Sequence, residues 1–380
     1  MYPKLGRWTW TTLIAPAALL VASGWQVTAQ EGPSGITVPR VFSPFDRNAA
    51  VCSPSPLSKT LAFAQDNERE FIEGVGRGLS AAAKDRGLAY SRSVAQNDGN
   101  RMIEQVESFR SSKTGALVVA PVDPASLAPA LRRMIWDGAY VGAVVPPPAT
   151  SLLNAPQYLT GKVLGDAAAA HIREKLKGKA NVVLLTHDSL QFLAPRFVAM
   201  RESLKDMPGV DVVADISPTT VNKEGGFSMM QTILLAHPDI DVVLGADTVV
   251  LGALAAVRQA GKIRAEQFFG GIDGEPEAVD EIKKGGPYKI SISLASSVFG
   301  YAMGQHAADW LEGKSIPQAM DILPSPLTLS NIAQYESDLA NPGGVYADPA
   351  RRDAYLKMYG NICFDSRDQY VNFPWSSERK

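Results

Sequence analysis

From Lys59 onward the chain alternates short apolar runs with longer stretches in which apolar residues recur every three or four positions, the patterns of strands and amphipathic helices in turn. Leu61-Ala62-Phe63-Ala64 is one such run. Phe71, Ile72, Val75, Leu79 and Ala83 then mark one face of a helix that Gly87 closes. A strand near 88–94 follows, then a helix with Met102, Ile103, Val106 and Phe109, then the strand Ala116-Leu117-Val118-Val119-Ala120. Asp123-Pro124, a capping residue before a proline at the first helical position, starts a helix running to Trp136 that Pro129 is expected to kink or shorten. A strand at 140–145 completes this set.

The same unit repeats: helices at 163–176, 195–205, 226–236 and 249–259 alternate with strands at 181–186, 210–216, 241–245 and 268–272. A helix at 276–284, a strand at 288–294, a helix at 300–311 and a late strand at 321–323 follow. Strands that read as unbroken apolar runs between helices belong to parallel sheets covered on both faces. The element count suits two doubly wound lobes better than one very wide sheet. Residues 331–380 break the rhythm. Asn341-Pro342-Gly343-Gly344 reads as a turn, and Tyr346, Tyr355, Tyr359, Tyr370, Phe373 and Trp375 form an aromatic tail whose rings are expected to pad the outside of the core.

Residues 1–29 have the three parts of a secretory leader: Lys4 and Arg7, an apolar run from Leu13 to Val21, and Val27-Thr28-Ala29, with cleavage expected after Ala29. The apolar run is short for a bilayer span and a proline interrupts it. Residues 30–58, rich in Pro, Ser and Gly, read as a surface extension. Without the leader 35 cations face 39 anions, a balance that excludes a general nucleic-acid binder. Cys52 and Cys363 are an even pair, which suits a disulfide in an oxidising compartment. With two distant cysteines and four scattered histidines, no metal-ligand spacing occurs. Gly74-x-Gly76-x-Gly78 lies inside a helix and not at a strand-to-helix turn, so it is a poor dinucleotide fingerprint, and no nucleotide-binding or hydrolase signature is present.

The segments 59–67, 116–123, 234–241, 251–256 and Gly270-Gly271-Ile272-Asp273-Gly274, taken together, resemble the ribose/galactose-type periplasmic sugar-binding proteins, whose fold is shared by the ligand domain of lactose-repressor-type regulators. No helix-turn-helix precedes them, which removes the regulator branch. The resemblance covers about 59–325. It implies a type I periplasmic binding fold: two doubly wound parallel-sheet lobes, 59–160 with 295–322 and 161–294 with 323–330, joined by a three-strand hinge, with the tail 331–380 outside.

The resemblance also implies a cleft at the carboxyl ends of the strands, with Phe71 as a ring on a sugar face, Arg196 as a ligand-contacting arginine, Asp273 as the cleft aspartate, and Arg69, Asn222 and Asp247 near polar contacts. An Arg fork and a carboxylate each serve vicinal hydroxyls well. Simpler readings stay open: Phe71 as helix core, Arg196 as a solvated helix residue, Asp273-Gly274 as a turn. Pro146-Pro147-Pro148 stands where relatives often carry an acidic–basic pair, Ala246 replaces a cleft asparagine, and Val221 replaces an aromatic lid residue. These departures point away from ribose itself, toward a deoxy, methylated, smaller or less polar molecule. The implied function is capture of a small sugar or polyol in the periplasm by a monomer that hands it to the permease of an ATP-driven importer. No cofactor and no catalysis are expected. A ligand sensor for a histidine kinase or chemoreceptor is the rival, and an enzyme the third option.

Overall fold

The computed structural model describes residues 33–144 and 148–378. The expected leader and its cut after Ala29 lie outside the described residues, as do Pro146 and Pro147, whereas Pro148 is described and buried.

A first sheet starts with β1 (Ser58–Gln65), β2 (Ala89–Val94), β3 (Thr114–Val119), β4 (Tyr140–Val144) and β5 (Ser151–Asn154), with α1 (Glu70–Arg86), α2 (Gly99–Ser111) and α3 (Pro124–Asp137) between the first four strands. The chain then moves to a second sheet through α4 (Gln157–Lys175), β6 (Ala180–Leu185), α5 (Ala194–Leu204), β7 (Val210–Ile216), α6 (Lys223–Ala236), β8 (Val242–Leu244), α7 (Asp247–Gln259), β9 (Phe268–Asp273), α8 (Pro276–Lys283) and β10 (Tyr288–Ser293). It returns with α9 (Ser296–Leu311) and β11 (Ala319–Ile322), and crosses again to β12 (Ser325–Leu327). It comes back once more through α10 (Ile332–Ala340), α11 (Pro342–Ala347) and α12 (Pro349–Tyr355) to β13 (Leu356–Tyr359).

The strand orders are β13-β11-β5-β4-β3-β1-β2 and β12-β10-β9-β8-β6-β7. Pairing is parallel except where β13 meets β11 and β12 meets β10. These are the two doubly wound lobes the sequence implies, with three short crossings and a fourth passage made by the tail. Strands β3, β4 and β5 are buried along their whole length, which is why they lack polar alternation. In the second lobe Val182, Leu184, Phe268 and Ile272 pack with Leu164 and Ile172 of α4 into a core of their own.

The glycines at 74, 76 and 78 serve helix packing. A Cβ on Gly78 would lie 2.1 Å from the Ser297 carbonyl oxygen, and one on Gly300 would lie 2.3 Å from that of Val75. Only bare backbones let α1 and α9 meet this closely. Asp123 caps α3 as expected, accepting from the amides of Ala125 (3.0 Å) and Ser126 (3.3 Å). Pro129, however, does not shorten the helix, which runs on to Asp137. The carbonyl that Pro129 cannot bond belongs to Ala125, exposed in the first turn where water serves it.

The tail differs from its sequence reading. Asn341-Pro342-Gly343-Gly344 is a helix start rather than a free turn, since Asn341 accepts from the Gly344 amide (3.0 Å) and Pro342 opens α11. Tyr355, Tyr370, Phe373 and Trp375 are buried, and Trp375 packs on Tyr359 and on Phe42 with ring centroids 5.2 and 5.8 Å apart. The stretch before β1 lies along this tail, with bridges Ile36 to Val371 and Pro44 to Tyr359. The disulfide expected between Cys52 and Cys363 is present, with Cα atoms 6.3 Å apart.

Candidate functional site

Open α/β sheets bind ligands beyond the carboxyl ends of their strands. In the second lobe that position is held by Asp273, the last residue of β9, at φ +117°. A side-chain-bearing residue persists in that region only when its surroundings over-determine it, and here they do. The Gly274 amide donates to Ser291 Oγ (3.0 Å) and the Glu275 amide to Asp247 Oδ2 (2.8 Å). Ser291 Oγ donates to the same Asp247 oxygen (2.6 Å), and Tyr288 Oη donates to Asp247 Oδ1 (2.7 Å). A Cβ on Gly271 would fall 1.8 Å from Asp247 Oδ1, so glycine at that position makes room for the carboxyl.

Asp247 is fully buried behind the Asp273 turn. Burial pushes its carboxyl up to about 7; the neighbouring Asp273 charge adds to this, and its hydrogen bonds oppose it. Glu275 is raised to about 8, by burial first and then by the negative charges of Asp247, Asp273, Glu277 and Glu70.

Arg196 comes from α5, which approaches α4 so closely that a Cβ on Gly161 would sit 1.9 Å from the Arg196 carbonyl. Its side chain is buried, with 5% of the residue exposed, and Nε donates to Gln157 Oε1 (2.7 Å). No other hydrogen bond holds its guanidinium among the described residues. Burial lowers the guanidinium and Asp273 opposes that shift. Burial likewise raises the Asp273 carboxyl against the pull of Arg196 and then Arg69.

Arg69 precedes α1 in the first lobe. Its side chain is 58% exposed and bonds to Asp66 Oδ2 (2.5 Å) and Asn67 Oδ1 (3.0 Å). The fold thus brings Arg196 of the second lobe and Arg69 of the first within electrostatic reach of Asp273. Phe71 is half-buried, its ring 5.9 Å from Phe299 of α9. Asn222 is exposed and caps α6, accepting from the Gly225 amide (2.8 Å), and no described contact joins it to the Arg196–Asp273 group.

Gln157, Tyr288, Ser291, Ser293 and Glu275 were not anticipated. The signal for two of them lies in Tyr288-Lys289-Ile290-Ser291-Ile292-Ser293, where polar and apolar residues alternate along the strand. Both serines are fully buried, and buried polar groups of this kind mark a network. Among the described residues no cluster of three or more His, Cys, Asp or Glu could hold a metal ion, and no helix is long and apolar enough to cross a membrane. An open groove of about 470 Å³ lies between α1 and the edge strand β2, lined by Glu73, Arg77, Lys84, Tyr90 and Arg92 and by none of the site residues named above.

Comparison with known proteins agrees with this architecture. The ribose import binding protein of Bacillus subtilis is 28% identical over 73% of this chain and 93% of its own length. A xylitol-binding protein of Mycolicibacterium smegmatis is 28% identical over 63% of this chain and 68% of its own. Among solved structures, a periplasmic ribose ABC transporter protein from Conexibacter woesei superposes with TM-score 0.64 at 19% identity, covering 75% of this chain and 97% of the other. The 5-methylthioribose transporter solute-binding protein of Thermotoga lettingae gives 0.65 at 20% identity, covering 79% and 98%. These structural likenesses carry the fold. The model of the periplasmic binding protein domain family matches residues 61–315, about two thirds of the sequence, from β1 through α9, and the chain belongs to that family.

Proposed function

We propose that this protein is the solute-binding component of an ATP-driven importer, capturing a small sugar, polyol or derivative between its lobes and handing it to a membrane permease. One observation carries the reading: a buried guanidinium, Arg196, and a half-buried carboxylate, Asp273, face each other electrically while both keep hydrogen-bonding capacity unused among the described residues. Buried charges of this kind are costly without partners. A polyhydroxy molecule supplies donors to the carboxylate and acceptors to the guanidinium at once. Relatives named for ribose and xylitol, and one solved with bound D-allose, support the same ligand class. Arg69 and Phe71 stand on the first-lobe side, Asn222 lies at the outer end of the second, and Asp247 acts by holding the Asp273 turn.

The protein works in the periplasm as a monomer, without cofactor and without transforming its ligand. A thermal-shift panel of D-ribose, D-allose, xylitol, myo-inositol, glycerol and 5-methylthioribose tests the reading, since a ligand that binds only the folded state raises the melting temperature. Calorimetry on Arg196→Ala and Asp273→Ala should then show losses of about 2–4 kcal/mol, roughly 30- to 1,000-fold in affinity. Binding unchanged in both variants sinks the site, and conversion of the ligand by the parent sinks the function. Uptake into vesicles carrying the neighbouring permease, against signalling through a sensor kinase, separates transport from sensing.

A further inference from the structure

The segment after β12 lies outside the matched family region, yet it reaches the turn that presents Asp273. Ser293, the last residue of β10, is the register partner of Asp273 on β9. Its hydroxyl accepts from the Ala295 amide (3.0 Å) and donates to Tyr335 Oη (2.7 Å), which comes from α10 in the tail. A Cβ on Gly274 would lie 2.9 Å from the same Tyr335 oxygen, so the phenol occupies the space beneath the Asp273-Gly274 turn. Tyr335 is buried, and the charges of Asp247, Glu70 and Asp273 all act on it.

The same helix is tied to both lobes. Glu336 pairs with Lys283 at the end of α8 in the second lobe. Ser297 Oγ at the start of α9, in the first lobe, donates to the Leu339 carbonyl (3.3 Å). Farther on, β13 adds to the first-lobe sheet beside β11, and Cys363 is bonded to Cys52. Any motion that swings the lobes about the three short crossings must therefore also move or strain α10, which is held by the second lobe at Tyr335 and Glu336 and by the first at Leu339.

We propose that the tail is part of the binding machinery: Tyr335 is a positioning residue that holds the Asp273 turn through Ser293, and α10 is a strap that limits how far the lobes separate. The first half rests on the reading of Asp273 as a ligand contact, whereas the second does not. The geometry explains why a residue at φ +117° ends β9 without glycine: Asp247 and Ser291 fix the turn from one side, and Ser293 with Tyr335 from the other.

Two measurements test this. Calorimetry compares the parent with Tyr335→Phe, using whichever of the six panel compounds stabilises the parent most. The variant should bind about five- to tenfold more weakly, the loss expected for one hydrogen bond, with its ligand-free melting temperature within about 2 °C of the parent. A purely structural role would lower the melting temperature and leave the affinity alone. Independently of any ligand, spin labels on cysteines introduced at Ser80 in α1 and Gln231 in α6 report the distance between lobes. Tyr335→Phe with Glu336→Gln should broaden that distribution and shift it to longer distances. Unchanged affinity overturns the positioning role, and an unchanged distribution overturns the strap. If no panel compound binds the parent, the cleft reading fails and the label distances alone decide for or against the strap.

Discussion

Replacing Asp247 with Asn should remove a pH dependence from the stability of the second lobe. The carboxyl is fully buried and its folded-state value is raised to about 7, against 3.8 for the free side chain. A raised carboxyl binds more protons in the folded state than in the unfolded one between those two values. Its favourable contribution is therefore complete below about pH 4 and is lost as the pH climbs through 7. Between about pH 5 and about pH 8.5 the linkage amounts to about 2.5 kcal/mol of lost stability, at 1.36 kcal/mol per unit.

Asn is nearly isosteric and can be accommodated. Its carbonyl takes the Oδ2 position and accepts from Glu275 N and Ser291 Oγ, and its NH₂ donates to the Tyr288 oxygen, because a phenol can reverse its role. Denaturant titrations of parent and Asp247→Asn at the two pH values give the difference directly. The variant should gain about 2.5 kcal/mol relative to the parent on going from the lower to the higher pH. Parallel behaviour, with the gap unchanged, would show that Asp247 is ionised throughout, and the account of burial outweighing its three hydrogen bonds would be wrong.

Three further outcomes follow from the packing. Gly300→Ala should cost about 3 kcal/mol by forcing α1 from α9, whereas Gly286→Ala, whose new methyl meets nothing within 4 Å, should stay within about 0.5 kcal/mol; equal melting temperatures would refute the close crossing. Serine at both Cys52 and Cys363 should lower unfolding free energy by about 2–5 kcal/mol in non-reducing buffer, and an unshifted denaturant midpoint would count against the bond as a stabiliser. Asp123→Ala should cost about 1 kcal/mol through the lost cap of α3, read in the same titration, and no change would mean water replaces the cap freely.

The lobes could be read from the chain because their strands are buried on both faces: Ala116 to Ala120 and Asn181 to Thr186 carry a signal that no loop shares. Three short strands carry none. Ser151–Asn154 has four residues, and Ser325–Leu327 and Leu356–Tyr359 pair only through antiparallel edges, so β5, β12 and β13 pass for loop in the sequence. Arg196 and Asp273, the pair proposed to contact the ligand, come from the resemblance to a family pattern, and the fold places them within electrostatic reach of each other. The supporting shell was not legible in the chain, because it depends on which strand lies beside which: Ser293 meets Asp273 only through the β9–β10 register, and Tyr335 arrives from a segment that follows the second sheet in the chain. Asp247 shows the difference between the two levels. Sequence comparison puts it at a polar contact, and the fold encloses it behind the turn with its oxygens engaged.

The bond between Cys52 and Cys363 spans 311 positions, and this has a consequence for how the molecule is made. A ribosome adds the second cysteine only after every strand of both sheets has been synthesised, because β13 ends at Tyr359. For the whole of that interval Cys52 is a lone thiol, open to mixed disulfides with an oxidase. The link therefore cannot guide the pairing of strands while the chain is still being synthesised. A chain cut short anywhere between residues 52 and 363 carries Cys52 without its partner, an unpaired thiol that sets it apart from the full-length molecule.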